Sequence, residues 1–151
     1  MILRSKFLGL LVLATGGNIG CGSEVICATE GDVGVEGAPV LKSFSLVGQL
    51  EGDPWTVILS AEFEDTNGNL GPDGDVELFL GGNFQAPALP VVDAMNAAQI
   101  DADAVSGRLA MPVRFSEGVS DGSTAILGIQ VVDGSGLRSN CLGVELEFSV
   151  D

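Results

Sequence analysis

Apolar and polar side chains alternate between residues 56 and 65. Val57, Leu59, Ala61 and Phe63 fall on one face and Thr56, Ser60, Glu62 and Glu64 on the other, with Ile58 the apolar exception. Successive side chains of an extended chain point to opposite faces, so a period of two predicts a strand with one buried face. The pattern recurs at 107–115, where Leu109, Met111, Val113 and Phe115 oppose Arg108 and Arg114, and at 142–150, where it runs without a break. Pro112 has no amide proton for a ladder, which predicts an edge or a bulge for 107–115. Shorter apolar runs at 40–47, 76–80 and 125–132 predict three more strands, and 88–92 a seventh that Pro90 confines to an edge. Only 93–101, with Ala94, Met95, Ala97 and Ala98, has the spacing of a helical turn or two.

Turn residues punctuate these runs: Thr66-Asn67-Gly68-Asn69, Pro72-Asp73-Gly74, Gly81-Gly82-Asn83, Asp121-Gly122 and Asp133-Gly134-Ser135-Gly136. Short strands with frequent turns predict an all-β fold, an antiparallel β-sandwich of about seven strands over residues 39–151. Hydrophobic residues make up 46% of the chain, enough for one such core in 151 residues.

The first twenty residues follow a different rule. Arg4 and Lys6 precede an apolar stretch at 7–14 that is too short to cross a bilayer, which needs about 20 residues. Cations followed by a short apolar core predict a cleaved signal peptide over 1–20. Asn18-Ile19-Gly20-Cys21 resembles the lipobox of bacterial lipoproteins in its Ile19 and Gly20, with Asn18 where an aliphatic residue is usual. The resemblance implies that Cys21 becomes the lipid-bearing N-terminus and holds the protein to a membrane. Gly22 takes the place of the Asp that retains some such proteins at the inner membrane, so the outer membrane is the favoured address. Residues 21–38, rich in Gly and Glu, then read as a lipidated N-terminus followed by a flexible tether.

The three cysteines are an odd number for an exported chain. Lipid on Cys21 leaves Cys27 and Cys141 as an even pair for an oxidising compartment, the preferred pairing; Cys21 with Cys27 is the alternative and leaves Cys141 a free thiol. Loss of Arg4 and Lys6 with the signal takes the formal charge from −15 to −17. A field of that sign repels phosphate backbones and excludes nucleic acid as a partner.

Two phrases, Phe63-Glu-Asp65-x-x-Gly68-x-Leu70 and Val131-Val-Asp133-x-x-Gly136-Leu137-x-Ser139, are similar to the strand-then-turn phrases of bacterial immunoglobulin-like modules. The chain has no tyrosine for a tyrosine corner and no cysteine pair on the two central strands, so the resemblance is to the sandwich and not to antibody domains. It implies that the start of the last strand and the entry to the first share a pole, which brings Cys141 and Cys27 within reach of each other.

Chemistry is sparse. Without histidine, Ser-His-Asp and Cys-His catalysis are excluded together with the commonest zinc sites. Lys42 and Ser43 are adjacent and on a strand face opposite ways. Trp55 reads as a packing residue, and acidic pairs are too numerous for any one to signal a glycosidase. The best site is an acidic loop, Asp65, Asn67, Asn69, Asp73 and Asp75, whose oxygens suit calcium. It is not an EF-hand, because Leu70 stands at the glycine position and Val76 at the bidentate acid. In an immunoglobulin-like topology Asp133 and the acidic tether join that loop at one pole, so calcium is the one cofactor considered. The expectation is a non-enzymatic, lipid-anchored envelope protein that interacts with another envelope protein. A calcium- or small-ligand-binding module comes second and a carboxylate-dependent hydrolase third.

Overall fold

The structure, a computed structural model, describes residues 2–6, 26–28, 30–115 and 122–149. Two antiparallel sheets pack face to face. The smaller contains β2 (Val40–Leu50), β3 (Asp53–Glu64) and β6 (Ser106–Arg114) in the order β2-β3-β6. The larger contains β1 (Ile2–Lys6), β4 (Asp75–Leu80), β5 (Asn83–Pro90), β7 (Thr124–Val132) and β8 (Leu142–Ser149) in the order β1-β8-β7-β4-β5. Without β1 this is an immunoglobulin-like sandwich, with β2, β3 and β6 as strands A, B and E facing β8, β7, β4 and β5 as G, F, C and C′.

The alternating positions form the core. Val57, Leu59, Ala61 and Phe63 of β3 and Leu109 and Met111 of β6 face Val76 and Leu78 of β4, Leu127, Ile129 and Val131 of β7, and Leu142, Val144, Leu146 and Phe148 of β8. Pro112 lies on edge strand β6, where a missing donor costs no ladder bond. The fifth strand begins and ends earlier than its apolar residues suggest, because Pro90, extended at φ −60° and ψ 130°, caps a helix instead of continuing the strand. That helix, α2 (Val91–Ala97), buries Val91, Ala94 and Met95, a helical i, i+3, i+4 spacing. Just beyond its end, Gln99 has a φ of 60°.

The stretch expected as a tether is docked where it is described. Cys27 is bonded to Cys141, and Ile26, only 2% exposed, lies on the outer face of the larger sheet. Phe84, Phe79, Gly128 and Gly143 form one row across β5, β4, β7 and β8 of that sheet. The two rings meet at a tilt with their centroids 5.8 Å apart, and the two glycines leave a notch beside them. A Cβ on Gly128 would come within 2.5 Å of the Ile26 carbonyl oxygen, and one on Gly143 within 2.9 Å of its Cγ2. Glycine inside a strand marks close approach of another segment, and here the segment is this strap. Further on, Asp32 N–H donates to the Arg138 carbonyl at 2.9 Å, and Arg138 N–H returns a bond to the Asp32 carboxylate at 2.7 Å.

β1 comes from the residues expected as a signal peptide and pairs along the outer edge of β8. The apolar stretch 7–14, the Asn18–Cys21 motif and residues 22–25 lie outside the described residues, as does Asp121 of the expected turn.

Ile26→Ala is expected to lower the unfolding free energy by about 2–4 kcal/mol, as for other buried aliphatic truncations. Urea denaturation of the oxidised protein measures it. A loss below about 0.5 kcal/mol would show that the strap adds nothing beyond the disulfide.

Candidate functional site

The two Asp-x-x-Gly phrases fold into the same device at one pole of the sandwich. At the end of β3, Gly68 N–H donates to the Asp65 carbonyl at 3.0 Å, and at the end of β7, Gly136 N–H donates to the Asp133 carbonyl at 3.0 Å. Both glycines have positive φ, 66° and 86°, which a side chain would resist. The aspartate side chains then reach forward. Asp65 accepts the backbone N–H groups of Asn67, Asn69 and Leu70 at 3.4, 3.1 and 2.8 Å. Asp133 accepts those of Ser135 and Leu137 at 2.8 and 2.9 Å. Both residues are buried, at 1% and 3% exposure, and a buried carboxylate is tolerated when backbone donors surround it. Asp65 in this way starts the single turn of α1 (Leu70–Asp73).

The two loops and the strap meet. Asn69 donates its side-chain amide to Ser135 Oγ at 2.8 Å, and Gly134 N–H donates to the Asn69 carbonyl at 3.2 Å. A Cβ on Gly134 would lie 3.1 Å from that of Asp73, so Asp73 also borders the contact. Asn67 donates to the Gly37 carbonyl at 3.3 Å. Five of the six residues considered for calcium therefore gather at this pole. The sixth, Asp75, is exposed in β4, in register with Val132. Gathering does not make a coordination shell. Both Asp65 oxygens and one of Asp133 are committed to amide donors, and among the described residues no three acidic or thiol groups are placed to hold a metal. Two buried oxygens, Asn69 Oδ1 and Asp133 Oδ2, have no hydrogen-bond partner.

The connection from β7 to β8 ties this pole to every neighbour. Asn140 makes a two-way bond with β2, accepting Leu41 N–H at 2.8 Å and donating to the Leu41 carbonyl at 2.9 Å. Ser139 Oγ accepts Val131 N–H at 2.9 Å and donates to the Asn140 carbonyl at 2.8 Å. Arg138 pairs with Glu77 of β4. Alternation along the strands carries no signal for these residues, which lie in a turn. Glycines 128 and 143, interrupting two apolar strands, were the available signal for the strap.

Elsewhere the charges form exposed pairs. Lys42–Glu64 at 2.6 Å and Arg108–Glu62 at 3.6 Å line a shallow open depression of about 510 Å³ beside Phe63 and Ser106. At the other end of β3, the Thr56 hydroxyl donates to Asp53 at 2.7 Å and holds that carboxyl below its ordinary value against some desolvation, aided by the Trp55 amide and the Arg114 charge. Trp55 is half-buried, and its carbonyl accepts Phe115 N–H at 2.9 Å. The chain matches no protein-family model and no curated protein.

Asp65→Ala strands three backbone donors, each worth about 1–3 kcal/mol when left unsatisfied in the interior. The expected loss is about 3 kcal/mol or more by urea denaturation. A fall within 1 kcal/mol would show that water replaces the carboxylate at little cost.

Proposed function

We propose that this is a non-enzymatic, lipid-anchored protein of the bacterial cell envelope, whose sandwich serves as an interaction or assembly module. The observation that carries the reading is the Cys27–Cys141 bond, which belongs to an oxidising compartment and leaves Cys21 the odd cysteine. The anchor would stand five residues before Ile26, where the strap docks, so a lipid on Cys21 would hold the domain close to the bilayer. The outer membrane remains the favoured address from Gly22. Asp65 and Asp133 act as turn clamps in this reading.

Intact-mass analysis of protein extracted from its native envelope tests the reading. The expected species lacks residues 1–20, begins at Cys21, carries an acyl-glyceryl adduct and has no free thiol. A mature N-terminus elsewhere, or Cys21 recovered as a thiol, removes the anchor.

A second reading is a cation held between the two loops, favoured by the buried Asn69 Oδ1 and Asp133 Oδ2. Calcium wants six to eight oxygens, and these two fall short of that number. Millimolar calcium is therefore expected to leave the melting temperature within about 1 °C. A rise of several degrees that disappears in Asp133→Asn would make calcium the better reading.

A further inference from the structure

The strap closes a second, smaller interior on the outside of the larger sheet. Phe79, Gly128, Gln130 and Gly143 alternate with Leu78, Ile129, Val131 and Val144 of the core, so they face outward. Phe79 and Gln130 are buried all the same. The strap crosses this face from the glycine notch under Ile26 to Ser139, whose carbonyl oxygen a Cβ on Gly31 would strike. Ile26, Phe79 and Cys141 are buried outside the core that joins the two sheets.

Apart from the disulfide, the described strap is held by one buried side chain, Ile26, and by the two-way bond between Asp32 and Arg138. Each residue that is ordered gives up backbone freedom, and over 26–32 that loss outweighs one aliphatic side chain and two hydrogen bonds. The covalent bond supplies the difference. Its two ends are unlike. Cys27 is partly exposed on the strap, whereas Cys141 is buried and fixed between Asn140, tied to Leu41, and the buried Leu142. The two cysteines are 114 residues apart, and the notch exists only once β7 and β8 have set Gly128 against Gly143.

We propose that Cys27 is the point of exchange with a disulfide-donating protein of the oxidising compartment, and that the strap stays undocked until this exchange locks it onto the finished sandwich. The Cys27 thiolate attacks one sulfur of the donor's disulfide, which forms a mixed disulfide on Cys27 and frees one donor thiol. Ile26 then enters the notch and carries Cys27 to Cys141. The Cys141 thiolate attacks Cys27 Sγ, the Cys27–Cys141 bond forms, and the donor leaves as a dithiol. Two electrons pass to the donor, and the two cysteine protons end on its thiols. Before closure Phe79 lies open beside the exposed ring of Phe84, so the unlocked chain displays an apolar patch that oxidation covers. The inference takes the oxidising compartment from the proposed function and does not depend on the lipid.

The test uses protein extracted from its envelope, with its mass and cysteine state determined first, and then reduced with dithiothreitol. Reduction is expected to speed amide hydrogen exchange at Asp32 and Arg138 at least about tenfold, while β3 and β7 keep their protection. Oxidised glutathione then serves as the disulfide donor, and acid quenching at early times traps the adduct. Peptide mapping is expected to find it on Cys27 in at least about tenfold excess over Cys141, followed by the Cys27–Cys141 bond and the return of slow exchange at Asp32 and Arg138. Unchanged exchange at Asp32 and Arg138 after reduction overturns the lock, because the strap then docks without the bond. Loss of protection throughout the sandwich overturns it as well, because the bond then holds the whole fold. An adduct shared equally or found mainly on Cys141 overturns Cys27 as the point of exchange. Free Cys27 and Cys141 in the extracted protein overturn the oxidising compartment, whereas Cys21 recovered as a thiol overturns the anchor alone.

Discussion

The nine residues from Asp133 to Cys141 hold the molecule's separate parts in one arrangement. A buried turn must satisfy its own backbone, and this one does so with Asp133 and Ser139. Its remaining bonds go to neighbours: the strap through Asp32, the first sandwich strand through Leu41, the opposite loop through Asn69, and β4 through Glu77. Cys141 adds a covalent link to Cys27 across 114 residues. Closing so long a loop disfavours the unfolded chain by roughly 4–5 kcal/mol on the chain-entropy model. The link also keeps Ile26 over its glycine notch.

This arrangement changes what an N-terminal lipid would do. A free tether lets a domain explore orientations above a membrane. A strap fixed at Ile26, Cys27 and Asp32 would instead fix which side of the sandwich lies near such an anchor. The strap lies on the outer face of the larger sheet, over β7 and β8.

The acidic pole shows how one residue pattern serves two purposes in principle. Asp, Asn and Gly supply oxygen ligands to calcium, and they also supply the acceptors and left-handed backbone that tight turns need. Sequence cannot separate the two, because both require the same residue types at the same spacing. Geometry separates them. A carboxylate pointing inward at amide donors, as Asp65 does, has given most of its lone pairs to the backbone.

The strands were legible because their signal is local. Alternation in 56–65, 107–115 and 142–150 reports which side chains leave water, and the core follows it, although Thr56 and Ser60 of the polar face are buried as well. The cysteine pairing was legible too, since an odd count and an immunoglobulin-like order favour one partner for Cys27. Three things depended on contacts between distant segments. The strap at Ile26 needs Gly128 and Gly143 side by side on neighbouring strands, which only the register of β7 against β8 decides. The clamp roles of Asp65 and Asp133 need the direction in which each side chain turns. The pairing of β1 with β8 joins two segments more than a hundred residues apart in the chain. Sequence by itself determined the two-sided strands and their order of hydrophobic faces, because water acts on each residue where it stands. Tertiary structure alone decided what covers the outer face and the sheet edge, because those surfaces exist only after the sheets have formed.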